Sequence, residues 1–302
     1  MEMVNFRDVR NEEQKKQANE LSASLKQDNQ LLSLLQKKNI SSKHLDTHPY
    51  KIQSWYKDFQ ACIRCGGLKN CKQKEEGYFD QLVDDGFLHI EKCPCKYMKE
   101  KMQERKHLNQ FLVNDMPDHL TTVDFNKILL EKESGNYIEV FTESLNQYSR
   151  NQGVYLYGTL GGGKTYLAAC AANGFAKQGK KVAFIHYPTF IQRMTSRVQT
   201  NEYMNEVEKL QYVYFLVIDE IGGEPVTQWN RDSILLPILN ARYEKGLPTW
   251  FTSNESLESL EEHFRSNNKS KDEDVKAMRI MDRIQAMSKP LCLECENKRI
   301  YK

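Results

Sequence analysis

Between the apolar stretch Val154-Tyr-Leu-Tyr157 and an alanine-rich stretch stands Gly158-Thr-Leu-Gly-Gly-Gly163-Lys164-Thr165. This pattern constrains the fold more than any other, because a glycine-rich turn ending in Lys-Thr needs a strand ahead of it and a helix behind it. The glycines free successive backbone N–H groups to turn inward around phosphates, and the first turn of the helix adds unpaired amides and positive dipole. Lys164 then reaches the β- and γ-phosphates of a nucleoside triphosphate, and the Thr165 hydroxyl binds Mg²⁺; the loop by itself does not distinguish a kinase, a GTPase and an ATPase. Gly158, Thr159, Gly161, Gly162, Gly163 and Tyr166 complete the expected nucleotide contacts. A glycine-rich turn with no ligand is the plainer reading, and the strand and helix expected on either side argue against it.

The surrounding pattern alternates in the same way. Residues 164–177 read as a helix, 181–186 as a strand, 212–218 as an apolar run of the kind buried on both faces of a parallel sheet, 232–245 as a helix despite Pro237, and 249–252 as another strand. This predicts an α/β fold, a parallel sheet flanked by helices. Phe215-Leu-Val-Ile-Asp219-Glu220 ends its strand in two carboxylates at the sheet edge where ligands bind. Asp219 is expected to hold Mg²⁺, directly or through water, and Glu220 to polarise the attacking water; a solvated acidic turn is the alternative. At the end of the next strand, Asn254 is the candidate to contact the γ-phosphate or the lytic water, although Ser-Asn ahead of Leu257 is also a good helix cap.

A chain of 302 residues fits two domains best, and five of its eight cysteines lie between Cys62 and Cys95. The longest apolar run is far too short to span a membrane, and the charged start has no signal-peptide core, so a cytoplasmic protein is expected. In a reducing compartment clustered thiols point to a metal. Cys62-Ile-Arg-Cys65-Gly-Gly67 is a zinc knuckle, and Cys71, His89, Cys93 and Cys95 are the candidates to close a structural tetrahedral site. Cys292-Leu-Glu-Cys295 repeats the spacing with no second pair nearby and reads as ordinary thiols. Ahead of the knuckle, Leu21, Leu25, Leu32 and Leu35 mark an amphipathic helix over 11–39, interrupted by Asp28. The expected division is residues 1–115, a charged connector over 116–135, and residues 136–302. The net charge of +2 excludes whole-chain attraction to nucleic acid, so any basic surface is local.

In motif order the chain resembles the AAA+ ATPases, and more narrowly the bacterial helicase loaders of the DnaI and DnaC type. The likeness rests on Leu216-Val-Ile-Asp-Glu-Ile-Gly-Gly223, Trp229-Asn-Arg-Asp232, Leu247-Pro-Thr-Trp-Phe-Thr-Ser-Asn254 and Leu260-Glu-Glu-His263, with the cysteine cluster resembling DnaI. The resemblance implies a small, mainly helical zinc-binding domain that engages a hexameric replicative DNA helicase, joined to an ATPase that contacts single-stranded DNA and self-associates when ATP-bound. It further implies an arginine given in trans to a neighbour's γ-phosphate, with Arg283 the first choice and Arg279 the second. Arg299 is the implied basic nucleotide sensor in cis. The zinc ligands it favours are Cys62, Cys65, Cys71 and Cys93, with Cys95 and His89 in reserve. Arg193, Arg197 and the lysines near Lys269 and Lys271 are the DNA candidates. Other readings are a transposition-helper ATPase of the IstB type, a small-molecule kinase, and an ATP-binding adaptor with little turnover.

Overall fold

The structure is a computed structural model that describes residues 12–200, 203–265 and 271–298. The chain divides into two compact units, Met1–Glu104 and Arg105–Lys302. Among the described residues no helix is long and apolar enough to cross a membrane.

The amino-terminal unit runs α1 (Glu12–Leu25), α2 (Asn29–Lys37), α3 (His44–Thr47), α4 (Pro49–Ile63), β1 (Tyr78–Asp84), β2 (Leu88–Pro94) and α5 (Lys96–Glu104). The single helix expected over 11–39 is two. The Asp28 carboxylate accepts the N–H groups of Gln30 at 2.9 Å and Leu31 at 3.0 Å, capping α2 and turning the interruption into a break. Leu25, Leu31 and Leu35 then bury against Ile52, Trp55, Leu82 and Leu88. The expectation of a mainly helical unit omits its antiparallel hairpin, which pairs Tyr78 with Pro94 through Asp84 with Leu88. Trp55 ties α4 to that hairpin, its indole N–H donating to the Asp80 carbonyl at 3.0 Å.

The carboxy-terminal unit continues with β3 (Phe111–Asn114), α6 (Gly135–Ser149), β4 (Gly153–Gly158), α7 (Lys164–Lys177), β5 (Val182–His186), α8 (Tyr187–Ser196), α9 (Tyr203–Tyr212), β6 (Phe215–Asp219), α10 (Leu236–Glu244), β7 (Thr249–Thr252), α11 (Leu257–Phe264), α12 (Lys271–Met287) and β8 (Ser288–Leu293). Its six strands run in the order β3-β5-β6-β7-β4-β8, every neighbouring pair parallel. Side chains alternate across the sheet. Val154, Leu156, Phe184, Phe215, Val217 and Trp250 pack on one face in a cluster with residues of α6 and α7, while Tyr155, Ile185, Leu216, Ile218 and Phe251 pack on the other with residues of α8 to α12. Each fully buried side chain of this size contributes about 1.5–3 kcal/mol, so both faces must be covered, as expected of the apolar runs.

One expectation is corrected here. The division near residues 115–135 falls instead after Glu104, and the stretch taken for a connector is built into the carboxy-terminal unit. Met116, Leu120 and Phe125 are buried in its core, and β3 adds an edge strand beside β5. As expected, Pro237 does not break its helix: it stands in the first turn of α10, and the residues ahead of it, Asn230–Leu235, coil as a π-helix.

Candidate functional site

β4 delivers the glycine loop and α7 begins at Lys164, the strand-loop-helix order the pattern requires. Residues 160–166 of this loop and helix line a cavity of about 570 Å³ that reaches Glu220, Thr252, Ser253 and Asn254 at the carboxyl ends of β6 and β7. Lys164 is buried, its ammonium donating to the carbonyls of Gly158 at 2.8 Å and Thr159 at 2.9 Å. Those two residues therefore support the lysine, while Gly161, Gly162, Gly163, Thr165 and Tyr166 face the cavity.

The acidic pair is wired through a residue that sequence reasoning passed over. The Thr252 hydroxyl donates to Asp219 Oδ1 at 2.6 Å and accepts the Glu220 N–H at 3.0 Å. Thr165 also donates to Asp219 Oδ1, at 2.9 Å. Burial pushes the Asp219 carboxyl above its usual range, and the hydroxyls of Thr252 and Thr165 oppose that rise. With its proton turned to Asp219, the Thr165 oxygen keeps lone pairs for a cation. Hard oxygens on two adjacent elements beside a lysine suit Mg²⁺ with a triphosphate, and these residues fit both groups. The Glu220 carboxylate accepts a hydrogen bond from His186 Nε2 at 3.1 Å, and His186 Nδ1 lies 2.7 Å from the Thr189 hydroxyl. A threonine in a strand and a histidine at a strand end carry no sequence signal beyond their neighbours, which is why neither was foreseen.

Asn254 lines the cavity, and the helix cap it was offered belongs to Ser256, whose hydroxyl accepts the Ser259 N–H at 3.2 Å. Arg283 does not line the cavity. It donates to Asn240 at 3.1 Å and Asp282 at 2.6 Å and lies over the Tyr243 ring. Arg279 is exposed one turn earlier on the same helix. Arg299 and Lys269 lie outside the described residues, as does the Lys271 side chain. The neighbour of Arg299 takes a place at the cavity instead: Lys298 Nζ sits 3.3 Å from the Tyr137 ring centroid and 2.5 Å from Glu133. Of the DNA candidates, Arg193 is engaged by Asp115 through two hydrogen bonds of 2.6 and 2.9 Å, and Arg197 follows the end of α8 half-buried.

The thiols gather in part. Cys62, Cys65, Cys71 and Cys95 line one pocket of about 300 Å³ with Gly67, Gly77 and Phe79. Burial raises the Cys62 thiol pKa, a hydrogen bond from Gln73 opposing it, and the other three thiols act on it in turn. Cys93, expected in the set, does not line the pocket; it pairs with Phe79 in the hairpin ladder. Cys95 has left the ladder, and its N–H donates to the Gly77 carbonyl at 2.8 Å. His89 is drawn aside by Asp85 and Glu91. Among the described residues no three His, Cys, Asp or Glu side chains converge closely enough to form a ready-made metal site.

Residues 96–301 match the family described as IstB-like ATP binding protein. The chain is 28% identical over 265 residues to the replicative helicase loader DnaI of Bacillus subtilis (strain 168), covering 86% of this chain and 85% of that one. It is 30% identical over 151 residues to an insertion sequence IS21 putative ATP-binding protein of Pseudomonas aeruginosa, covering 50% of this chain and 54% of that one. A crystal structure of DnaI superposes with a TM-score of 0.55 at 26% identity, over 62% of this chain and 98% of the other.

Proposed function

The chain belongs to the IstB-like ATP-binding family, and from that premise we propose that it is an ATP-dependent loader that delivers the replicative DNA helicase onto single-stranded DNA during replication initiation or restart. One observation carries the reading: the likeness to the helicase loader extends over 86% of the chain, more than the carboxy-terminal unit can hold, and so includes the thiol-bearing unit. In this reading the amino-terminal unit grips the helicase, and the protein acts in the cytoplasm.

The chain's own residues divide the work at the nucleotide. Loop amides and Lys164 bind and orient the phosphates. Thr165, with Asp219 behind it, would hold Mg²⁺, which would supply charge neutralisation to the phosphates. Glu220 accepts the proton of the attacking water once it exchanges His186 for that water. Thr252 keeps both carboxylates in register, and Asn254 reaches the γ-phosphate side of the cavity. Arg283, or Arg279 beside it, would serve a neighbouring copy's nucleotide, because it stands away from its own. Zinc on Cys62, Cys65, Cys71 and Cys95 would draw four thiols already on one pocket into a closed structural site. Turnover would be slow and stimulated by helicase or DNA.

The test is helicase delivery: full-length protein is mixed with a hexameric replicative helicase and a fork coated with single-strand-binding protein, and unwinding is followed with ATP. Loading should require the protein, and Lys164→Ala should retain helicase binding while losing delivery. No binding to any replicative helicase would overturn the reading. The family name and the IS21 likeness favour a second one, assistance to a transposase, which predicts stimulation of DNA strand transfer instead.

A further inference from the structure

The spacing of the loop glycines is explained by phosphates, yet the structure sets a second body against them. Residues 293–298, the last residue of β8 and the five that follow it, lie along the loop. The Thr159 N–H donates to the Leu293 carbonyl at 3.0 Å, the Lys298 N–H to the Gly161 carbonyl at 3.2 Å, and the Cys295 thiol to the Gly162 carbonyl at 3.3 Å. The fit is steric as well. A Cβ on Gly158 would fall 2.5 Å from the Leu293 carbonyl oxygen, on Gly161 2.0 Å from Asn297 Oδ1, and on Gly162 3.1 Å from Cys295 Sγ. Asn136 of α6 pins the segment, accepting the Glu294 N–H at 2.8 Å and donating to the Cys292 carbonyl at 3.1 Å.

These contacts bear on how a phosphate loop works. Loop amides can point at phosphates only if the carbonyls of the same peptides point away, and carbonyls turned outward need partners of their own. Gly161 and Gly162 find theirs on this segment; the N–H of the Gly161–Gly162 peptide is itself held by the Thr159 carbonyl at 3.2 Å, which fixes the turn, so the Cys295 contact on the Gly162–Gly163 peptide is the one that bears on phosphate. We infer that residues 293–298 are a strap that holds the phosphate loop in its binding conformation, with Cys295 and the Lys298 main chain as positioning residues for the nucleotide. The inference rests on the reading of the cavity as an ATP site. It also means that Gly158 is required by the chain's own backbone at Leu293, independently of any phosphate.

The experiment measures binding of a fluorescent ATP analogue, and KM and kcat for ATP, on the full chain, on a chain ending at Leu293, and on Cys295→Ala and Cys295→Ser. Melting of each protein without nucleotide is recorded alongside. The expected result is an affinity loss above roughly tenfold for the shortened chain and roughly two- to tenfold for Cys295→Ala, the scale of one hydrogen bond. KM should rise with kcat unchanged, and Cys295→Ser, which keeps a donor, should recover affinity to within about twofold. Should the shortened chain not fold, the alanine and serine pair decides alone. Parent-like affinity in Cys295→Ala, or equal losses in alanine and serine, overturns the strap. A full chain that binds no ATP overturns the ATP reading instead, which separates the two failures.

Discussion

From β4 to β7 the central strands of the carboxy-terminal unit are buried on both faces over nearly their whole length, whereas in the amino-terminal unit the side chains from residue 57 to 81 are at most half-buried. The carboxy-terminal unit closes its own core. The amino-terminal unit has one apolar cluster built from α2, α4 and the hairpin and, apart from it, thiols around a pocket. A small unit with half a core needs a covalent or metal staple, while a two-faced sheet does not, so the two should fail under different insults.

The largest expected effect tests that contrast directly. If the proposed zinc is held by the four thiols of the pocket, Cys65→Ser in the full chain should release it and expose the amino-terminal unit to protease, a loss that can approach about 10 kcal/mol for a structural site. ATP affinity should stay within about twofold of the parent. Zinc content and limited proteolysis check this, and a variant as resistant as the parent would remove the staple from the argument. Next comes Arg242, fully buried in the carboxy-terminal unit, which donates to the Thr249 hydroxyl at 2.7 Å and to the carbonyls of Leu210 and Val213 at 2.8 Å and Pro248 at 2.9 Å. Burial lowers its pKa to about 9, so it remains charged at neutral pH. Arg242→Met strands four acceptors and should cost about 3–5 kcal/mol in this unit's denaturant transition alone. Metal removal should leave that transition where it was.

The smallest effect sharpens the comparison at the rim of the sheet. A hydrogen bond from Lys289, with another from Gln147, holds the Glu143 carboxyl near 2, below its ordinary 4.5. A depressed carboxyl stabilises the fold above its unfolded value and loses that contribution as pH falls through its folded value. Glu143→Gln should therefore cost under about 1 kcal/mol at pH 7, with the gap to the parent closing between pH 4.5 and 2. Urea titrations at stepped pH read it, and a gap that stays constant would assign the effect to packing.

Legibility followed the same division. The strand-loop-helix at Gly158, the acidic pair and the strand at Thr249 could be read because parallel strands buried on both faces are unbroken apolar runs punctuated by glycine. The hairpin could not: Tyr78-Phe-Asp-Gln-Leu-Val-Asp84 offers only Leu82 to the core, and so shows no alternation. Residues 105–133 read as charged and loose because their anchors, Met116, Leu120 and Phe125, stand singly among polar residues, the last two in short 3₁₀ turns, with no helical period. At the site, ligand types were legible and partners were not. Cys93 and Cys95 differ only in where the ladder ends, and Lys298 precedes Arg299 by one residue, differences that backbone geometry decides.

Glu220 has a φ of +59°, and it shares the left-handed region with only two other described non-glycine residues, Asn39 and Asn151. Asparagine tolerates that conformation and glutamate does not, so the position carries about 1 kcal/mol or more of strain. Glycine there would relieve it while deleting the carboxylate. Selection for thermal stability alone would thus drift toward an inert protein at this residue, and a directed-evolution screen without an activity gate should enrich Glu220→Gly early.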